Sequence, residues 1–156
     1  MRRVYIETSV WGMIPPGQNE TLRQPTLEFF KACESRVFSA CISDIVANEI
    51  QDAPVETRQP ILNRMAEINL VLLPVTPEVH ELARRFVDEA VVPKRRIDDA
   101  RHVACAVVNE IDLLVSWNYR HIANVRKAEA FHAVSVLAGF SGNLQIHTPL
   151  EVLEWK

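Results

Sequence analysis

The chain opens with the stretch RVYIETSVW, residues 3–11, which decides the predicted fold. Residues 4–6 are β-branched or aromatic, and such a run predicts a short strand that is buried on both faces, as in the centre of a parallel sheet. Glu7 follows that strand directly. Because open α/β sheets bind ligands at the carboxyl ends of their strands, Glu7 is a candidate metal or substrate contact. The alternative is a polar turn that only satisfies backbone groups.

Predicted strands and helices alternate along the rest of the chain. Buried apolar runs predict further strands over residues 37–42, 70–73 and 113–116 and an edge strand over 145–150 that leads into a short tail. Helical periodicity and capping residues predict helices over about 21–33, 44–53, 56–68, 77–92, 97–108 and 124–138, with a loop over 15–19. Regular alternation with right-handed crossovers predicts an α/β fold, a three-layer α/β/α sandwich around a parallel sheet of four or five strands.

The bulk properties are those of an ordinary globular protein. A length of 156 residues fits a single domain over residues 1–156 with a core of its own. Cys33, Cys41 and Cys105 lie in apolar contexts and predict buried free thiols. No apolar run approaches the roughly 20 residues that span a bilayer, so we expect a cytoplasmic protein with no membrane contact. The net charge of -3 argues against coating nucleic acid by charge alone.

Several common catalytic motifs are absent from the sequence. Neither glycine-rich nucleotide cradle, G-x-G-x-x-G or G-x-x-x-x-G-K-[ST], occurs. The serine-hydrolase motif G-x-S-x-G and the zinc motif H-E-x-x-H are missing as well. A small-molecule phosphatase is disfavoured because no D-x-D nucleophile motif is present.

Four polar residues fall where a parallel sheet would bring them together. Glu7 follows the first strand, Glu49 lies on the helix after the second, Asp99 begins a later helix, and Asn118 follows the fourth strand. Converging carboxylates repel one another unless a cation neutralises them, and an all-oxygen ligand set suits Mg²⁺ or Mn²⁺. Such a site meets the requirement of metal-assisted phosphodiester hydrolysis.

Each of these residues also has a structural interpretation. Asp98 and Asp99 suit the positive end of a helix dipole, Glu49 suits an exposed helix face, and Asn118 suits a turn. For His102, one turn into its helix, we expect packing or hydrogen bonding rather than metal ligation.

The order of the polar motifs resembles that of the PIN domain family, metal-dependent ribonucleases that include the VapC toxins of bacterial toxin–antitoxin pairs. The resemblance runs nearly from end to end of the chain. It is carried by IETS (residues 6–9), SDIVANEI (43–50), DARHVACA (99–106), LVSWN (114–118) and a closing Thr148-Pro149.

The resemblance implies a site and an activity. It puts the family's four acidic positions on Glu7, Glu49, Asp99 and Asn118, as catalytic and metal-binding residues, with the Ser9 hydroxyl beside the first. The family usually has aspartate at the first and fourth positions. A different rotamer can accommodate the extra methylene of Glu7. Asn118 removes a negative charge, which weakens metal binding and argues against a second metal. Asp98 could compensate in part.

The implied function is a Mg²⁺- or Mn²⁺-dependent single-stranded RNA endonuclease, the toxin-type component of a toxin–antitoxin pair. The alternative is a PIN-like binding or assembly module with weakened or lost nuclease activity. The expected partners are RNA, a cognate antitoxin and a second copy in a homodimer, with helices 21–33 and 78–90 as candidate interfaces. Phosphates could be held by the basic residues beside the acids, which are Lys94, Arg95, Arg96, Arg101 and Arg120. The alternative for residues 94–96 is a solvated loop.

Overall fold

The computed structural model describes residues 1–17 and 19–154. Gln18, in the predicted loop 15–19, and residues 155–156, in the predicted tail, lie outside the described residues. Strands and helices alternate through the described part, as the sequence predicts. The strands are β1 (Arg2–Ile6), β2 (Phe38–Ser43), β3 (Val71–Leu73), β4 (Leu113–Val115) and β5 (Gln145–His147).

The α-helices connect these strands, and a short 3₁₀ turn precedes the sixth helix. The helices are α1 (Thr8–Trp11), α2 (Glu20–Glu34), α3 (Asp44–Gln51), α4 (Val55–Ala66), α5 (Pro77–Asp88), α6 (Ile97–Val108), α7 (Val125–Leu137) and α8 (Pro149–Leu153). The 3₁₀ turn, Lys94–Arg96, joins α5 to α6.

The five strands form one parallel sheet in the order β3-β2-β1-β4-β5. The chain moves from β1 outward to β3 and then crosses back to β4 and β5. Because parallel crossovers are right-handed, the two directions of travel put helices on opposite faces of the sheet. The predicted α/β/α class is therefore confirmed, with five strands. Strands β1 and β4 flank the point where the direction reverses, which is where such sheets bind ligands.

The core is centred on β1, as its apolar run predicts. Val4, Tyr5 and Ile6 have no exposed surface, because β2 and β4 pair with the two sides of β1 and helices cover both faces. The three cysteines are buried free thiols, which confirms that prediction.

Two short helices were not predicted. The residues after Glu7 form α1, and Glu7 is its N-cap. The edge strand predicted over 145–150 ends at His147, and α8 replaces part of the predicted tail. The reason is a capping box, in which the Thr148 and Glu151 side chains each accept a backbone N–H hydrogen bond from the other residue, with Pro149 at the first helical position.

The two helices predicted as dimer interfaces bury their apolar side chains within the chain. Val79, Leu82 and Phe86 of α5 are buried, and α5 packs against α6 and α7. Phe29 and Phe30 of α2 are buried as well. Their apolar stripes are therefore part of the core, so a dimer would have to use other side chains.

No helix within the described ranges is long and apolar enough to cross a membrane.

Candidate active site

The candidate site lies at the carboxyl ends of β1 and β4. The Glu7 N–H donates a hydrogen bond to the Val115 carbonyl, which carries the pairing of the two strands one residue beyond β1. Ser116 and Asn118 follow β4, while Glu49 on α3 and Asp99 on α6 approach the same edge. The structure thus brings together all four residues that the sequence singles out.

The Glu7 carboxylate is buried and held by several donors. The Ser9 and Ser116 hydroxyls each donate to Oε1 at 2.6 Å, and the Ser9 N–H donates to Oε2 at 3.1 Å. The last bond is an N-cap interaction that opens α1. The turn interpretation of Glu7 is therefore correct for its local bonding, yet Oε2 still faces the other acids, with His102 Nε2 at 4.0 Å.

Glu49 is held by a histidine rather than standing free in solvent. Its Oε1 lies 2.5 Å from His102 Nε2 and accepts a hydrogen bond from the Thr8 hydroxyl at 2.9 Å. The Glu49 side chain is 38% exposed, so its second oxygen remains open to solvent or a ligand. Glu49 is therefore partly exposed on its helix and also fixed by hydrogen bonds, and the expectation that His102 is packed and hydrogen-bonded is confirmed.

His102 connects Glu49 to a buried chain of hydrogen bonds. Its Nδ1 lies 2.7 Å from the Tyr5 hydroxyl, which in turn lies 2.8 Å from the Ser43 hydroxyl. Burial alone would lower the pKa of His102, but the hydrogen bond with Glu49 and the negative charges of Glu7, Glu49 and Asp99 together raise it above 6.5. His102 is thus the basic group that the three acids share.

Asp99 is the carboxylate with the least compensation. Its Oδ2 is buried and has no hydrogen-bond partner among the described residues. Burial and the nearby charge of Glu7 raise the pKa of Asp99 above 3.8, although the Asn118 side chain, His102 and Arg96 act in the opposite direction. A buried carboxylate oxygen without a donor carries an uncompensated desolvation cost, which a bound cation would offset.

Asn118 joins two parts of the site. Its Oδ1 accepts a hydrogen bond from the His121 N–H at 3.0 Å, while its side-chain amide interacts with Asp99. An aspartate here could accept from His121 but could not donate to Asp99. The neutral amide therefore suits a position between an uncompensated carboxylate and a backbone donor.

The oxygen donors fit a hard divalent cation only in part. Asp99 Oδ2, the open oxygen of Glu49 and Glu7 Oε2 are the atoms that could bind one. Against this, no group of three or more His, Cys, Asp or Glu side chains in residues 1–17 and 19–154 is arranged to hold a metal ion. Part of the oxygen set is also occupied by protein donors, since two hydroxyls bind Glu7 Oε1 and His102 binds Glu49 Oε1.

Asp98 points away from Asp99, as the helical repeat predicts. It forms an ion pair with Arg101 at 2.7 Å, and both side chains line a groove beside Glu49. Among the described residues, neither side chain forms a hydrogen bond or ion pair with Glu7, Asp99 or Asn118.

Of the other predicted basic residues, Arg95, Arg96 and Arg120 lie near enough to His121 for their charges to act on it. Lys94, Arg95 and Arg96 are exposed on the 3₁₀ turn, and Arg120 is exposed in the turn after β4. Burial and the charges of Arg96, Arg120, Lys127 and Arg95 lower the pKa of His121. The site therefore has an acidic half and a basic half, which meet at Asn118.

Sequence reasoning missed the groups that hold the acids. Alternation along β1 does put Tyr5 on the same face as Glu7, so a buried tyrosine two residues before an acid was a usable signal. Ser116, Thr8 and His121 offered no such signal, because small polar residues near strand ends usually serve turns.

The comparison with solved structures identifies a fold. A chain in the crystal structure of VapBC2 from Rickettsia felis bound to a DNA fragment from their promoter superposes with a TM-score of 0.55. The match covers 94% of this chain and 98% of that chain, at 10% sequence identity. The two chains share a fold. At this identity the likeness carries the architecture and not the chemistry.

No protein-family model matches the sequence, and no curated protein is significantly similar to it.

We expect Asp99→Asn to stabilise the metal-free protein at neutral pH. The raised pKa of Asp99 means that folding favours its protonated form. The free energy of unfolding of the wild type therefore falls as pH rises from 3.8 through the raised pKa, and it remains at the lower value above that pKa. The gain should be about 1 kcal/mol at neutral pH and shrink as pH falls. Urea unfolding in EDTA measures it, with Asp112→Asn at the opposite sheet edge as control; equal effects of the two variants would contradict the assignment.

Tyr5→Phe should destabilise the protein by about 1–3 kcal/mol, because it leaves the buried His102 and Ser43 atoms without their shared hydroxyl. Tyr119→Phe is the matched control, since Tyr119 is 52% exposed. Thermal and urea unfolding of the two variants should differ clearly, and similar stabilities would show that the buried chain contributes little.

Proposed function

We propose that this chain is a PIN-like, Mg²⁺- or Mn²⁺-dependent endonuclease of single-stranded RNA. One observation carries the proposal: Glu7, Glu49, Asp99 and Asn118 meet at the point where a parallel sheet reverses direction, and Asp99 Oδ2 is buried there without a partner. A structural role for Asp99 would supply that oxygen with a donor. The PIN resemblance of the sequence assigns metal-dependent RNA cleavage to these positions.

The roles of the residues follow from their bonding. A bound Mg²⁺ or Mn²⁺ would supply a Lewis acid that polarises a phosphate oxygen and promotes ionisation of water. Asp99, Glu49 and Glu7 Oε2 would hold it, with the Asn118 carbonyl as a neutral fourth donor. Ser9 and Ser116 keep the Glu7 carboxylate in place through Oε1, and His102 orients Glu49.

The RNA strand would be held by the cations near the acids. The net charge of -3 makes general attraction of RNA weak, so phosphate binding depends on local clusters. Lys94, Arg95, Arg96 and Arg120 are exposed on the Asn118 side, and Arg101 is on the Glu49 side. A strand crossing the site could therefore contact cations on both sides of the carboxylates.

We further propose that the enzyme acts in the cytoplasm as the toxin of a toxin–antitoxin pair and forms a homodimer. Support comes from the sequence resemblance to VapC toxins and from the fold shared with a chain of the VapBC2 structure. An antitoxin encoded by the adjacent reading frame would be its partner.

A second candidate function is a PIN-like binding or assembly module without catalysis. The observations that favour it are the donors that occupy Glu7 Oε1, the neutral Asn118, and the lack of a preformed metal group within the described residues. In that case the buried network would be a structural remnant that stabilises the sheet edge.

Cleavage of RNA tests the proposed activity. The purified wild type should cut single-stranded RNA with Mn²⁺ and not with EDTA, and Asp99→Asn should lower the rate about 100-fold or more, since even outer partners of metal ligands are worth 10–100-fold. Asp112→Asn, at the other end of β4, should cut like the wild type. Identical residual cutting by the wild type and Asp99→Asn would point to a contaminating nuclease.

Metal binding separates the two candidate functions. Calorimetric titration with Mn²⁺ should show saturable binding to the wild type that Glu49→Gln abolishes, because this variant removes a carboxylate oxygen that remains open. Glu56→Gln, on the exposed first turn of α4, should bind like the wild type. Absence of heat at millimolar Mn²⁺ would favour the binding module.

A further inference from the structure

His121 is a buried histidine whose ring nitrogens have no hydrogen-bond partner within residues 1–17 and 19–154. It lies three residues after Asn118, and its backbone N–H donates to the Asn118 side chain. The residue is 7% exposed, and among the described residues neither Nδ1 nor Nε2 has a hydrogen-bond partner. His102, which is also buried, has both ring nitrogens satisfied by Tyr5 and Glu49. Burial alone therefore does not explain the unpaired ring of His121.

The charges of several basic side chains act on the His121 ring, and three of these side chains form no ion pair among the described residues. The positive charges of Arg95, Arg96, Arg120 and Lys127 all act on it. Among the described residues, Arg95, Arg96 and Arg120 form no ion pair, whereas Arg101 is paired with Asp98. The amine of Lys127 donates to the Val91 carbonyl. The ring thus lies near several positive charges, of which that of Arg96 also acts on the Asp99 carboxylate.

This arrangement is suited to an anion. A neutral imidazole can donate one N–H to an anion, and guanidinium groups bind the oxygens of a phosphate or carboxylate in pairs. Long, exposed arginine side chains can move aside to admit a ligand and then fold onto it.

Position favours a phosphate over a carboxylate. The charge of Arg96 acts on both His121 and Asp99, and Asn118 contacts both residues, so the basic group directly adjoins the acidic half of the site. A phosphate ester held by His121 would be a neighbour of any group bound at Asp99.

We propose that His121, Arg96 and Arg120 form a phosphate-binding subsite beside the carboxylates, on the Asn118 side. Its ligand is a phosphate ester group. Identifying that group as part of an RNA strand rests on the function proposed above, whereas binding of phosphate itself does not. His121 is the centre of the subsite, and Arg101 is outside it.

The first experiment uses inorganic phosphate and needs no activity. Protein labelled with ¹⁵N-histidine is titrated with phosphate at constant pH and ionic strength in EDTA, and the ring nitrogens are followed by NMR. One imidazole of the five in the chain should shift saturably, and its signal should be the one missing from His121→Phe. Arg120→Gln should weaken phosphate binding about tenfold, the value of one charged hydrogen bond. Arg84→Gln, on the exposed face of α5, is the charge-matched control and should change it less than about twofold.

The second experiment uses labelled single-stranded RNA in EDTA, where no cleavage occurs, and measures binding by fluorescence anisotropy. His121→Phe and Arg120→Gln should each weaken binding about tenfold. Arg120→Gln should also reduce the slope of log K against log salt by about 0.7, the value for one lost phosphate contact on a single strand. Thermal unfolding checks that His121→Phe is folded; if it is not, the exposed Arg120→Gln decides.

The outcomes separate the subsite from the nuclease. Absence of a His121 shift, or equal losses of RNA binding in Arg120→Gln and Arg84→Gln, would overturn the subsite. A His121 shift with phosphate but unchanged RNA binding would overturn its assignment to RNA. If the protein binds phosphate and RNA as expected but does not cut RNA with Mn²⁺, the subsite is supported and the proposed nuclease function is rejected.

Discussion

The crowding of three carboxylates at one edge of the sheet is the constraint on which the rest of the site depends. Glu7, Glu49 and Asp99 repel one another, and burial strengthens the repulsion. The chain relieves it unevenly. Two serine hydroxyls and a backbone N–H hold Glu7, and a histidine holds Glu49, but Asp99 keeps an oxygen with no hydrogen-bond partner in the described part of the chain. The unrelieved charge is concentrated on one atom, and a site built for stability alone would not be expected to leave it there.

Topology explains why these groups meet, and Asn118 explains how the site is divided. The strand order reverses between β1 and β4, and the residues that follow both strands lie at that point of the sheet, where such sheets bind ligands. On one side lie the acids and His102, and on the other His121 and its arginines. Asn118 accepts from the second side and interacts with the first. The sequence alone suggests that the neutral side chain weakens metal binding. In the structure, the amide can interact with the Asp99 carboxylate and also accept from the His121 N–H.

The sequence predicted the α/β fold because the fold depends on simple periodicity, whereas Glu49 and Asp99, which lie within helices, were singled out by the order of the polar motifs. Apolar runs identified β1, β2 and β4, and polar residues at strand ends identified Glu7 and Asn118. The bonding within the site was not predictable, since it depends on contacts across more than a hundred residues, such as Ser116 with Glu7. The short helices α1 and α8 were missed because one capping residue decides each of them, against a background of turn-like composition.

Glu7 has two roles, since its carboxylate caps α1 and also belongs to the acidic site. The extra methylene of glutamate lets one oxygen return to the Ser9 N–H while the other reaches the Ser116 hydroxyl on the neighbouring strand. A shorter acid at residue 7 would lose one of these bonds unless residue 116 changed with it. The hydrogen bond thus couples the identities of residues 7 and 116, and we expect them to covary in related chains even though 109 positions separate them.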